Sequence, residues 1–132
     1  MPFQIGDAWD DSESSSDGTK HGWLIGDDRV VDAVGLRRSN EVRVKWFRHK
    51  QGDPSRPARL PDGLQEYSLA IVVEGIFRIH LREPAGPWEI HDLRAGQYVL
   101  WGPRVEHISE FPADCTVVTV RWDETDETKT RP

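Results

Sequence analysis

The chain has 132 residues, a hydrophobic fraction of 36% and a formal net charge of −6. This length suits one folded domain and leaves no room for a second core. The sequence has no apolar run of about 18 residues, and its acidic start differs from a signal or transit peptide, so neither a membrane partner nor a targeting segment is predicted. The acidic balance, without interleaved basic and aromatic motifs, argues against nucleic acid as a partner.

Residues 1–20 form the first segment, an acidic tail with five carboxylates against Lys20 and few aliphatic side chains. Such a composition cannot bury enough apolar surface to fold, so we expect this tail to be disordered. The last segment, 123–132, holds four carboxylates against two basic residues and is expected to be flexible. The folded body is therefore predicted to span residues 21–122.

Between the tails, apolar residues alternate with polar ones or form runs of four to eight, separated by Gly, Pro, Asn or Asp. This pattern predicts strands and no amphipathic helix. The predicted strands are 23–25, 29–35, 41–49, 67–73, 75–82, 87–91, 98–101, 106–110 and 115–122. Residues 50–65, with three prolines, are predicted to form a stiff loop at the mouth of the fold. Short strands with turns between them favour an all-β antiparallel barrel or sandwich.

Residues 37–59 are locally basic, with eight Lys or Arg residues against two acids. Such a stretch is either a solvated rim or the edge of a pocket for an anionic ligand. Alternation along the strand 41–49 separates two sets of side chains, Val42, Val44 and Trp46 on one side and Arg43, Lys45 and Phe47 on the other. Trp46, and Trp101 on the strand 98–101, are expected either to fill the interior or to line an apolar pocket.

Polar side chains also alternate along the strand 75–82, where Arg78 and His80 share one face. That face is either solvated or a polar lining of the interior. If it points inward, Arg78 is a candidate counter-charge for a ligand, as is Lys45. A cavity with aromatic walls and these cations suits a planar or cyclic ligand, and Tyr98 is a further candidate contact.

His107 follows a turn at Gly96, a short strand and the Gly102–Pro103 corner. A strand that ends at such a corner presents its next side chains to the cavity that the corner closes. His107 is therefore either a proton shuttle or ligand contact at the barrel mouth, or a histidine satisfied by its neighbours in the wall.

Two further residues are candidates for acid–base chemistry. His49 ends the strand 41–49 and either converges with His107 across the barrel or is a surface histidine in a basic run. Glu66 follows the long loop and is either a desolvated general base or a loop carboxylate paired with Arg56 or Arg59. The single cysteine, Cys115, cannot form an internal disulfide, and we expect a buried inert thiol in a cytoplasmic protein.

The order of these elements resembles the cupin superfamily, whose members are small double-stranded β-helix, or jelly-roll, barrels. The resemblance is carried by Gly75, which opens a strand, and by Gly96, Pro103 and His107, and it covers roughly residues 23–122. The runs Val-Lys-Trp, Glu-Gly-Ile-Phe-Arg and Tyr-Val-Leu-Trp-Gly-Pro are similar to small stand-alone bacterial cupins with no assigned activity. The resemblance implies an antiparallel barrel and a homodimer, but no single activity, since cupins include oxygenases, isomerases, lyases, epimerases, storage proteins and sensors.

Metal-dependent cupins carry a first motif with His-X-His, then Glu three or four residues later, then Gly after six more. Counting back from Gly75 places Ser68 at the Glu position. The places of the histidine pair are taken by Asp62 and Leu64 or by Pro61 and Gly63. Because His107 alone remains, with Glu66 and Asp62 as the nearest replacements, we expect no metal and no other cofactor. A metal, if bound, would be held by His107 and Glu66.

These observations predict a barrel that binds a small anionic or aromatic metabolite. Its chemistry, if it is catalytic, would be metal-independent proton transfer, as in an isomerase, cyclase or lyase. The catalytic candidates are His107, Glu66 and His49, and the ligand-binding candidates are Lys45, Trp46, Arg78, Tyr98 and Trp101. One alternative is a metal-dependent oxygenase or lyase with atypical ligands. Another is a non-catalytic sensor or accessory protein that docks through its acidic tail.

Overall fold

The computed structural model describes residues 4–14, 22–27, 35–53 and 66–124. Its elements are α1 (Ala8–Ser14), β1 (Trp23–Ile25), a 3-10 turn (Gly35–Arg37), β2 (Val42–His49), β3 (Glu66–Glu74), β4 (Ile76–Arg82), β5 (Glu89–Arg94), β6 (Tyr98–Trp101), β7 (Glu106–Glu110) and β8 (Cys115–Asp123). Most of the predicted strands are confirmed to within a few residues. The strand predicted at 29–35 lies outside the described residues apart from Gly35, which begins the 3-10 turn, and so do residues 54–65 of the predicted loop.

The described strands form two antiparallel sheets that enclose the core. One has five strands in the order β1-β2-β8-β3-β6, and the other has three in the order β5-β4-β7. Their inward faces meet in a cluster of buried side chains: Ala70, Val72, Phe77, Ile79, Phe111, Cys115 and Val117. The predicted all-β antiparallel barrel is confirmed. No described helix is long and apolar enough to cross a membrane.

Cys115 lies at the start of β8 with 2% of its surface exposed. Burial, together with the charge of Glu74, raises the pKa of its thiol to about 11. A thiol with so high a pKa stays protonated at neutral pH and is a poor nucleophile. The expected buried, inert thiol is confirmed.

The prediction that residues 1–20 are disordered is wrong for residues 8–14, which form α1 on the outside of β2. The Asp7 carboxylate caps this helix by accepting hydrogen bonds from the backbone N–H groups of Trp9 (2.9 Å) and Asp10 (3.1 Å). The Trp9 ring meets Trp46 edge-on at 5.1 Å, and the Arg48 guanidinium lies 3.8 Å from its centre. Mean composition favours disorder here, but the Trp9 indole packs this helix against Trp46 of β2.

The opposite end of the chain also departs from expectation. β8 continues through Asp123, which pairs in register with Glu66, so the predicted flexible segment 123–132 begins as ordered strand. The remainder of that segment, 125–132, lies outside the described residues, as do residues 1–3 and 15–20 of the predicted N-terminal tail.

Trp9→Ala is expected to lower the free energy of unfolding by about 1–2 kcal/mol, because it removes the edge-on contact with Trp46 and the stacked Arg48. The measurement is urea unfolding followed by circular dichroism. Ile5→Ala is the matched control, since Ile5 is 89% exposed, and we expect it to change stability by less than about 0.5 kcal/mol. An equal loss in both variants would mean that α1 is not held by its tryptophan.

Candidate functional site

One end of the barrel interior is lined by polar side chains, and we call it the polar end: Arg43, Lys45, Glu66, Ser68, His107, Arg121 and Asp123. It arises from the antiparallel register, which places the start of β2 and β3 beside the end of β8 and β6. Arg121 lies opposite Arg43 on one side and Ser68 on the other, and Ser68 lies opposite Trp101. The inward positions at the other end, such as Val72 and Cys115, belong to the apolar core.

Arg43 organises two carboxylates at the polar end. Its side chain is only 3% exposed, and its Nη2 donates to Glu66 Oε2 at 2.5 Å and to Asp123 Oδ1 at 3.0 Å. Two carboxylates compensate the buried guanidinium and satisfy Nη2, while Nη1 has no hydrogen-bond partner among the described residues. Glu66 is therefore held as an ion-pair partner of Arg43, and Arg56 and Arg59, its expected partners, lie outside the described residues.

His107 lies on the inward face of β7, where it is placed by pairing with Leu81 of β4. Its ring centre is 4.9 Å from that of Trp101 at an interplanar angle of 42°. Burial, the largest cause, and the charge of Arg121 together lower the pKa of His107 from 6.5 to about 4, against the opposing charge of Glu66. The imidazole is thus neutral at neutral pH. Its buried Nδ1 has no hydrogen-bond partner within the described part of the chain, which leaves a polar atom available to a ligand.

Two cations lie beside Trp23 in the barrel wall, and one of them, Arg121, also neighbours His107. Trp23 is 6% exposed, with Lys45 Nζ and the Arg121 guanidinium each 5.6 Å from its ring centre. Lys45 Nζ also lies 4.9 Å from the ring of Phe47. With Arg43, the polar end holds three cations against the two carboxylates of the Arg43 ion pairs. The charged side chains described at this end therefore sum to +1, which favours an anionic ligand.

His49 does not converge with His107, so the predicted acid–base pair is wrong. It lies opposite Cys115 in the register of β2 and β8, and its ring stacks on Phe111 with centres 3.8 Å apart. Cys115 is six positions along β8 from Arg121, about 20 Å away. Burial lowers the pKa of His49 to about 4, helped by Lys45 and opposed by Asp53. His49 is also no surface histidine, since 20% of its side chain is exposed.

Three predicted ligand contacts point away from the interior and are corrected. Trp46 lies on the face of β2 opposite Lys45 and packs against Trp9 of α1. Arg78 alternates with the buried Phe77 and Ile79, so it lies outside and bonds Asp92 through Nε (2.7 Å) and Nη2 (3.1 Å). Tyr98 is 64% exposed. The other two, Lys45 and Trp101, face inward and lie at the polar end.

Sequence reasoning missed Arg121 and Trp23 and gave no role to Arg43. One signal was present, because Arg121 has the same parity along β8 as the buried Cys115 and Val117. Side chains at every second position of a strand share a face, so taking Cys115 or Val117 as buried would have placed Arg121 inside the barrel.

The donor set at the polar end does not fit a metal ion. Within the described residues, no three His, Cys, Asp or Glu side chains come together to hold one. Glu66, the second donor expected from the sequence, is bonded to Arg43, and His107 has Arg121 as its neighbour. Asp62, the other replacement considered, lies outside the described residues.

Comparisons with known family profiles and with curated proteins find no match. Solved structures share the fold. An RmlC-like cupin family protein from Methanocaldococcus jannaschii matches with a TM-score of 0.54 and 14% identity, over 70% of this chain and 79% of that one. KdgF from Halomonas sp. matches with a TM-score of 0.52 and 16% identity, over 67% and 74% of the two chains. An oxalate decarboxylase from B. subtilis matches with a TM-score of 0.54 and 20% identity, over 67% and 23%.

These similarities confirm the double-stranded β-helix fold of cupins, which Gly75, Gly96 and His107 predicted. The similar structures include an enzyme, oxalate decarboxylase, and a protein described only by its fold. Since one fold carries different functions, the chemistry of this chain must be argued from its own side chains.

Proposed function

We propose that this cupin-fold barrel binds a small organic anion at the polar end, and that any reaction there is metal-independent proton transfer through His107. The observation that carries the proposal is the buried imidazole itself. His107 lies beside Trp101 and Arg121, its pKa is lowered to about 4, and its Nδ1 has no partner among the described residues. Such a site suits a ligand that offers a hydrogen-bonding group to His107 Nδ1 and a negative charge to Arg121.

In this proposal the cations select the ligand and the rings orient it. A carboxylate placed near Arg121 and Lys45 gains charge-assisted hydrogen bonds with these cations. The indole of Trp101 offers a flat wall for a planar or cyclic body. The ligand class is therefore a small carboxylate with an unsaturated or cyclic portion.

Binding an anion prepares His107 for proton transfer. The negative charge of the ligand raises the pKa of His107 towards its ordinary value, because it favours the charged imidazolium. The neutral imidazole can then take a proton from the carbon next to the carboxylate, while Arg121 stabilises the resulting enolate. Returning the proton to another carbon isomerises the ligand, and loss of a leaving group completes an elimination. A ligand that offers no such proton is only bound, and the protein then acts as a sensor.

The test is titration calorimetry against a panel of small mono- and dicarboxylates at pH 7. Arg121→Met is expected to weaken binding of the best ligand by about 10- to 100-fold, because it removes a charge-assisted contact. Arg78→Met is the matched control. It removes the same charge from the outer face, where Arg78 bonds Asp92, and is expected to leave binding unchanged.

A second variant, His107→Gln, separates binding from chemistry. It keeps a polar side chain of similar size, so we expect binding within about 10-fold of the wild type and loss of any turnover. Elemental analysis of the tag-free wild-type and His107→Gln proteins measures whether a metal is bound. A stoichiometric transition metal that is present in the wild type and absent from the His107→Gln protein would contradict metal-independent chemistry. Binding of no carboxylate, or equal losses in the Arg121→Met and Arg78→Met variants, would contradict the assignment of the polar end.

A further inference from the structure

Arg43 carries a buried donor that its ion pairs do not use. Its side chain is 3% exposed, and the two carboxylates that compensate its charge, Glu66 and Asp123, both accept from Nη2. The other terminal nitrogen, Nη1, is buried and has no hydrogen-bond partner within the described residues. A buried guanidinium N–H without an acceptor is costly, so this nitrogen points to an acceptor that comes from a ligand.

Arg43 belongs to the group of residues that we propose to bind the ligand. It lies opposite Arg121 in the register of β2 and β8, and Arg121 lies opposite Ser68 of β3. Glu66, which Arg43 holds, also acts on the pKa of His107. The unpartnered nitrogens of Arg43 and His107 therefore lie at the same end of the barrel, where one ligand can satisfy both.

The surroundings of Nη1 limit the kind of acceptor that it takes. Glu66 and Asp123 already place two negative charges against the same guanidinium, so a carboxylate brought to Nη1 is repelled by both. A hydroxyl group accepts a hydrogen bond, but once buried it brings a proton that needs an acceptor of its own. A carbonyl oxygen accepts without that requirement, so it suits this nitrogen best.

We propose that the ligand of the polar end is an oxo acid, whose carboxylate pairs with Arg121 and whose carbonyl oxygen accepts a hydrogen bond from Arg43 Nη1. This inference rests on the proposed function and makes Arg43 the residue that selects the oxo group. Because His107 takes its proton from the carbon next to the carboxylate, the carbonyl lies on the far side of that carbon, as in a β-oxo acid. When the C–H bond breaks, the proton goes to His107 and the electron pair to the carbonyl oxygen, where the guanidinium stabilises the negative charge.

The test compares three small ligands by titration calorimetry at pH 7. Acetoacetate carries both the carboxylate and the carbonyl. Its isostere has a methylene group in place of the carbonyl oxygen, and malonate has a second carboxylate in place of the acetyl group. The wild type is expected to bind acetoacetate about 10- to 100-fold more tightly than the isostere, which is the gain from a hydrogen bond to a charged group. It is expected to bind malonate more weakly than acetoacetate.

Arg43→Lys separates the hydrogen bond from the charge. Lysine keeps a cation for Glu66 and Asp123, but its side chain ends in one nitrogen and cannot replace Nη1 as well as Nη2. We expect the variant to bind acetoacetate and the isostere within about 3-fold of each other, with the affinity for the isostere unchanged. Arg78→Lys is the matched control, since Arg78 also bonds a carboxylate, that of Asp92, but lies on the outer face. It should keep the wild-type preference.

Circular dichroism checks that both variants fold. If Arg43→Lys does not, isotope-edited infrared spectroscopy of acetoacetate on the wild type replaces it, and the ketone stretch is expected at a lower frequency than in water.

Equal binding of acetoacetate and the isostere by the wild type would overturn the inference and leave the proposed function standing. So would tighter binding of malonate, a preference that survives Arg43→Lys, or a ketone stretch that is not lowered. Failure of both acetoacetate and the isostere to bind would also overturn it, and the wider carboxylate panel then shows whether the proposed function falls with it. A preference that is lost in Arg43→Lys and kept in Arg78→Lys supports the inference.

Discussion

The Gly75→Ala protein is expected to lose about 3–5 kcal/mol of free energy of unfolding, a large share of the stability of an ordinary domain. Gly75 joins β3 to β4 with a φ of +83°, in the left-handed region that favours glycine. A Cβ there would lie 1.9 Å from the carbonyl oxygen of Asp114 and 2.8 Å from the Cα of Cys115. Both are backbone atoms, so relief of the clash would require β4 to move away from β8.

Gly96→Ala is the matched control for this prediction. Gly96 has a similar φ of +88°, but nothing lies within 4 Å of an added Cβ. Its substitution carries backbone strain alone, and we expect a loss of about 1 kcal/mol. Guanidinium unfolding of the three proteins gives the comparison. Equal losses at Gly75 and Gly96 would show that close approach of the backbone is not the reason for glycine at position 75.

The strands were predictable because the cues for them are local. Turn residues separate short apolar runs, and the glycines at 75 and 96 mark places where the backbone takes positive φ. The Gly102–Pro103 corner correctly placed His107 at the inner wall, beside Trp101. Each of these inferences needs only a few neighbouring residues.

Which face of β2 points into the barrel was not predictable from the strand itself, because both faces carry hydrophobic side chains. Trp46 and Phe47 are adjacent aromatic residues, and either could have pointed into the barrel. The apolar outer face of the five-stranded sheet, with Val44, Val120 and Leu69 in one row, is the physical reason for this ambiguity. Where both faces of a strand carry apolar side chains, alternation no longer distinguishes inside from outside.

The ion pairs of Arg43 with Glu66 and Asp123 were missed for a different reason. Arg43, Glu66 and Asp123 are brought together by the register of β2, β3 and β8, which are far apart in sequence. Charged residues in strands are mostly exposed, so a reading of one strand at a time places them in water. The register that buries them depends on pairings that no local pattern contains.

Acidification is the second large effect that we expect. The free energy of unfolding should fall as the pH drops from about 6.5 to about 4, since burial lowers the pKa of His107 and of His49 to about 4 in the folded protein. In this range the unfolded chain binds protons that the folded protein does not, so protonation favours unfolding. Each histidine contributes on the order of 3 kcal/mol, which is fully present above pH 6.5 and is lost by about pH 4.

Chemical denaturation at pH 7.5 and pH 5 measures this dependence. His107→Gln and His49→Gln should each remove part of it, and the two parts should add because the residues lie at opposite ends of the barrel. His91→Gln is the control, since His91 is 55% exposed, and it should keep the full dependence.

The charged groups that face the two histidines also act on their pKa values. Lys45 acts on His49 and Arg121 on His107. A proton on either ring is therefore repelled by a neighbouring cation and is also disfavoured by burial away from water. Asp53 and Glu66 oppose these effects, but burial is the largest cause at both sites. Stability that stayed constant from pH 7.5 to pH 5 would mean that water reaches both rings. A bound carboxylate should reduce the contribution of His107 alone, because its negative charge would lie beside the imidazolium that protonation forms.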